Sequence, residues 1–276
     1  MFFHCRTQQP QGTALNAKLD PDIASLLTEL QVEIVSVMGG DFVGLYLFGS
    51  LVYGDFTEGV SDIDLLAVSR NIITEFDIDQ LREMHDRFAE RHPAWEGRIE
   101  VAYQSLHGLK TFQTERSPMG IISPGEPIHL IEAGDDWLIN WYFVLDHGVT
   151  IAGPPPETII APISQSQFVE SARAQAREWA RRIHGVKDQR GESYAILTAS
   201  RALYAHRTGE HVSKLKAARW VQATYPEWTD LLEMALEPRI AWEADNPVDT
   251  FDETVRFIEM VNREISDSPD LPSQDG

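Results

Sequence analysis

Apolar residues recur along the chain with two different periods, and the change of period divides it. From Asp20 the spacing is helical: Pro21 suits a first helical turn, and Ile23, Leu26, Leu27, Leu30 and Ile34 return every three or four positions until Gly39-Gly40 stops them. Two apolar runs, 42–48 and 63–68, read as buried strands, and 99–103 as a third short strand. Residues 74–91 predict a helix with Phe76, Leu81, Met84 and Phe88 as core positions. Strands alternating with helices indicate an α/β or α+β first domain. Residues 104–162 have weaker patterns, broken by PGEP at 124–127 and GPPP at 153–156, with a helix expected at 136–145. AGPPP reads as an interdomain linker, and after it only helical spacing remains. Ser164 can cap a helix bearing Phe168, Ala172, Ala176, Trp179 and Ile183, and further helices are expected near 193–207, 214–223, 228–236 and 250–265. The resulting division is a first domain at 1–156 with a loose start at 1–18, a helical domain at 157–266, and a disordered tail at 267–276. No internal repeat is visible.

Composition narrows the function. The 276 residues are 43% hydrophobic and 24% charged, an ordinary globular balance, and the length favours two domains. Against 23 Lys and Arg stand 43 Asp and Glu, a formal charge of −20. That balance argues against a nucleic-acid partner, which needs a basic face, and against an anionic membrane surface. It suits a cationic small molecule, or a substrate held through metal ions, and it also serves solubility. The single cysteine, Cys5, excludes an intrachain disulfide and a zinc site of several cysteines. No apolar run approaches the roughly 18 residues of a membrane span, and the start lacks the apolar stretch of a signal peptide. The chain therefore reads as soluble and cytoplasmic, monomeric or of undetermined oligomeric state.

The candidate chemistry is concentrated between residues 49 and 100. In a strand, Asp62 and Asp64 place two carboxylates on one face. Unpaired they repel, and a divalent cation removes that penalty; hard oxygen ligands suit Mg²⁺, which shares substrate phosphates. A D-x-D at a strand edge is also a common solvated face, but this pair is embedded among Ile63, Leu65, Leu66, Ala67 and Val68. Gly49-Ser50 ends a buried strand in a tight turn, where backbone N–H groups and a hydroxyl can approach an anion. Glu100 stands alone among apolar residues and is either a third metal-facing carboxylate, a base, or an exposed strand glutamate. No phosphate-binding P-loop, serine-hydrolase elbow or H-x-x-x-H pair is present. His129, His147, His184, His206 and His211 read as surface or helix-end residues, and Trp179, Trp220 and Trp242 as core positions on helix faces.

LFGSLVYGDFTEGVSDIDLLAV resembles the G-S…S-D-x-D signature of the DNA polymerase β-type nucleotidyltransferases. IEVAY, DHGVTIAGPPP and AILTASRALYAHRTGEHVSKLKAARW extend the resemblance to aminoglycoside nucleotidyltransferases of the streptomycin/spectinomycin adenylyltransferase type, over about residues 20–262. The resemblance implies an α+β fold: a polymerase β-like domain with a mixed sheet and flanking helices, then an all-α domain. It implies AMP transfer from ATP to an antibiotic hydroxyl, with Asp62, Asp64 and Glu100 holding Mg²⁺ (two ions) and Glu100 acting as base. Gly49, Ser50, Ser61 and Lys214 would contact the nucleotide phosphates. The acceptor positions depart from the family: Gly191 and Lys187 fall where its acidic drug-binding residues would be, which argues against streptomycin. Asp188 and Glu192 are the neighbouring candidates, and Phe112 is the nearest counterpart of the family's drug-stacking tryptophan. Two alternatives stay open, a nucleotidyltransferase with a protein or RNA acceptor and a non-catalytic nucleotide-binding sensor of the same fold.

Overall fold

The computed structural model describes residues 20–186, 188–237 and 250–267. The first 18 residues with Cys5, Lys187, Trp242 and tail residues 268–276 lie outside the described residues. The fold is mixed α+β, and the chain forms two compact units: 20–54 with 61–162, and 55–60 with the described residues from 163 onward.

The first unit is built on one mixed sheet of order β5-β4-β3-β2-β1-β6, from β1 (Phe42–Phe48), β2 (Ile63–Ser69), β3 (Ile99–Ser105), β4 (Ser117–Ser123), β5 (Glu126–Ala133) and β6 (Val149–Ala152). Only β2 and β3 run parallel. A parallel neighbour needs a crossover, and α3 (Glu75–Arg91) supplies it, started by a Thr74–Asp77 capping box. Leu65 to Ser69 are buried without a break, so both faces of β2 are covered and the apolar run needs no alternation. α1 (Pro21–Met38) packs on α3 and β1 and buries Ile23, Leu26, Leu27, Leu30 and Ile34, the residues its spacing singled out.

Several expectations change. Contrary to the expectation that no segment approaches a membrane span, Pro21–Asp41 is long and apolar enough, by length and composition, to cross one. One face of it belongs to the core, however, and Glu29 and Glu33 on the other pair with Arg91. Phe76 is 69% exposed; the cap at Thr74 sets the core face of α3 on Ile78, Leu81, Met84, His85 and Phe88 instead. The PGEP break is the turn of a β4–β5 hairpin, with Ser123 paired to Glu126 and Gly125 at φ +82°. The helix expected at 136–145 is α5 (Leu138–His147), entered through a 3₁₀ turn at Asp135–Trp137. The AGPPP segment and the residues after it, to Pro162, belong to the first unit: Tyr46 donates its hydroxyl to Pro154 O, and Ala161 N–H donates to Leu109 O.

The second unit is helical: α7 (Gln165–Arg182), α8 (Gln189–Thr208), α9 (Lys214–Thr224), α10 (Thr229–Leu236) and α11 (Phe251–Asp267), the last including the first residue of the expected tail. The one-turn α2 (Ser50–Tyr53), α4 (Leu106–Thr111) and α6 (Pro156–Ile159) complete the chain's α-helices among the described residues. α8 is the centre, touching α7, α9, α10 and α11. Alanines, Ser193, Thr198 and Ser200 bury it nearly all round and let its neighbours approach closely. His206 and His211 are buried rather than on the surface, although His206 does lie in the last turn of α8; its Nδ1 accepts from Arg173 Nε at 3.0 Å.

Candidate functional site

The site grows from the point where β1 ends. Phe48 pairs with Asp64 across the β1–β2 ladder, and the chain then turns sharply at Gly49, φ +77°. A Cβ at Gly49 would overlap Asp64 Oδ2, so this carboxylate lies directly against the Gly49 backbone. No other amino acid offers both the conformation and the space. Gly49 then caps α2, a single turn, so its dipole is small and the close backbone approach matters more than the helix end. Ser50 opens that turn, and its Oγ is buried with no hydrogen-bond partner.

Across the other edge of β2, Asp64 is in register with Glu100 in the parallel ladder, while Asp62 immediately precedes the strand. Registered residues of neighbouring strands share a face about 5 Å apart, so Asp64 and Glu100 set two carboxyl groups side by side. All three carboxylates are half-buried. Among the described residues no group of three His, Cys, Asp or Glu is gathered as a ready-made metal cluster. In chemistry the donors suit a hard divalent cation: two carboxylates in register on neighbouring strands, and a third just before β2.

Aromatic residues that the sequence reading left aside hold the Gly49-Ser50 turn. Phe143 of α5 stacks on Tyr53 at 4.7 Å and meets Phe48 edge-on at 6.0 Å, bracketing the turn from both ends. His147 lies edge-on to Tyr53 at 5.1 Å. Arg98 donates to Ser61 O, next to Asp62, from Nη2 at 2.8 Å and Nε at 3.2 Å. No local pattern announces these contacts.

The remaining candidates have positions of their own. Lys214 is the first residue of α9, whose cap Ser213 accepts from Lys216 N–H, and its Nζ stands 5.0 Å over the Tyr194 ring. Asp188 caps α8 by accepting from Gly191 N–H at 2.7 Å. Glu192 is buried, and its Oε2 accepts from Thr250 Oγ1 at 3.0 Å and Thr254 Oγ1 at 2.9 Å, fixing the start of α11. Phe112 is buried and offers no surface for stacking.

Residues 31–108 match the family described as "Nucleotidyltransferase domain", and residues 158–264 match "Aminoglycoside adenylyltransferase, C-terminal domain". No curated protein matches the sequence. Among solved structures, spectinomycin adenyltransferase AAD(9) from Enterococcus faecialis with ATP and spectinomycin shares the fold, with a TM-score of 0.69 and 17% identity over 88% of this chain and 98% of that one. A toxin-antitoxin with AMP-PNP aligns over 55% of this chain and 90% of that one at 14% identity, but its TM-score of 0.27 gives it no weight.

Proposed function

The chain belongs to the aminoglycoside nucleotidyltransferase family, and we propose that it transfers AMP from ATP to a hydroxyl of an aminoglycoside-like antibiotic, releasing pyrophosphate. The observation that carries this reading is the Asp64 carboxylate seated against the Gly49 backbone with Glu100 in register beside it. Asp62, Asp64 and Glu100 would hold Mg²⁺, which when bound offsets the charge on the phosphates and on the attacking and departing oxygens. The Gly49 backbone and the Ser50 and Ser61 hydroxyls would take the phosphates, with Lys214 as a further contact. The acceptor oxygen bonds to the α-phosphorus as the bond to pyrophosphate breaks, and Glu100 receives the hydroxyl proton.

The helical unit's family match supports a small-molecule acceptor over a protein or RNA, and a cytoplasmic setting supplies the ATP. Gly191 and Lys187 remove the acidic pair expected for streptomycin. Asp188 and Glu192, already engaged in capping and burial, are poor replacements. The acceptor is therefore a different member of the class. A thermal-shift screen of aminoglycosides with a non-hydrolysable ATP analogue and Mg²⁺ tests the proposal. The expected result is stabilisation by at least one drug that depends on analogue and metal; a screen in which no drug stabilises the loaded protein overturns the acceptor assignment.

A further inference from the structure

We infer that Arg98 is a positioning residue for Asp62, acting through the backbone on both sides of that carboxylate. The inference rests on the metal-site reading of Asp62 and Asp64. Asp62 lies just outside β2, whose pairing with β3 begins at Ile63, so the ladder does not hold residue 61. Arg98 does so instead. Its Nη2 and Nε converge on Ser61 O at 2.8 and 3.2 Å, while its own carbonyl accepts from Ile63 N–H at 2.9 Å. One residue thus grips the peptide units before and after Asp62.

Arg98 is itself fixed. Its guanidinium lies 4.5 Å over the Trp95 ring, Nη1 donates to Ala94 O at 3.2 Å, and its N–H donates to Trp95 O at 3.1 Å. The side-chain hydrogen bonds described here all end on carbonyl oxygens, so the planar fork is used for geometry. Lysine has the charge without the fork or the flat stacking face. Arg98→Lys therefore separates a geometric role from a purely electrostatic one.

The experiment is calorimetric titration of ATP, with Mg²⁺ and with EDTA, into the parent, Arg98→Lys, Arg98→Ala and Trp95→Leu proteins, with melting temperatures alongside. The parent should bind ATP more tightly with Mg²⁺. With Mg²⁺ present, both Arg98 variants should bind ATP more weakly by up to about 10–100-fold, the range for residues that support metal ligands. Their metal-free ATP affinity should stay unchanged, and Trp95→Leu should show the same pattern in weaker form. Should Arg98→Ala fail to fold, Arg98→Lys and Trp95→Leu carry the comparison. Folded variants with parental Mg²⁺ dependence overturn the inference and leave Arg98 a structural brace. A parent with no Mg²⁺ dependence overturns the metal-site reading itself, and Arg98's role with it.

Discussion

At the scale of single residues, the site depends on one missing side chain and one negative charge. Gly49→Ala would need φ +77° and would drive its Cβ into Asp64 Oδ2. We expect a loss of about 1–3 kcal/mol in stability from the strained backbone alone, read by denaturant unfolding, together with loss of Mg²⁺-dependent ATP binding. Asp64→Asn keeps the volume and removes the anion, so it should fold normally and lose the same binding, seen by calorimetry. Parental turnover in this variant would end the metal assignment. Glu100→Gln should retain much of its ATP affinity while its rate falls roughly 10²–10⁴-fold, as for loss of a base; steady-state kinetics beside ATP titration separates the two. These carboxylates were legible in the sequence because anions inside apolar runs demand a reason. The register that sets Asp64 beside Glu100 was not, since strand pairing is a long-range choice that no local pattern encodes. The Arg98 grip on Ser61 was hidden for the same reason.

At the scale of elements, legibility followed the strength of the period. α1, α3, α7 and the helices of the second unit have long apolar repeats and good caps, and they form close to where the spacing puts them. The β4–β5 hairpin did not announce itself: a sheet edge with one exposed strand alternates weakly, and Pro124-Gly125 reads equally as a domain break. Where α3 packs against the sheet it brings a titratable pair indoors. His85 Nε2 and Tyr103 OH share a hydrogen bond of 2.6 Å, and burial pushes the His85 pKa down to about 4. The native protein then keeps His85 neutral while the unfolded chain binds a proton below about 6.5. The stability it supports is complete above that pH and lost as pH falls toward 4, by about 3 kcal/mol in all. His85→Gln retains a partner for Tyr103 and cannot titrate. It should be less stable at neutral pH, with a shallower loss between pH 6.5 and 4.5, measured by urea unfolding across that range. An unchanged acid slope would mean that other groups dominate the window.

At the scale of the whole molecule, the sequence marked two units through its change of period, and the proposed role of Lys214 tests whether the second unit binds nucleotide. The lysine opens α9, where the helix dipole opposes a cation, and no acidic residue stands in that first turn. Its ammonium lies 5.0 Å over the Tyr194 ring. A cation at the end of a helix whose N-terminal N–H groups also attract anions is suited to phosphate. Lys214→Ala should therefore weaken ATP binding by about 1.5–3 kcal/mol, the range for a hydrogen bond to a charged group. AMP, without the β- and γ-phosphates, should lose much less. Calorimetric titrations of both nucleotides into both proteins make the comparison, with scanning calorimetry as the control on folding. Equal losses for ATP and AMP would place Lys214 near the base or sugar. Unchanged ATP affinity would make it an ordinary surface lysine and leave nucleotide binding to the first unit alone.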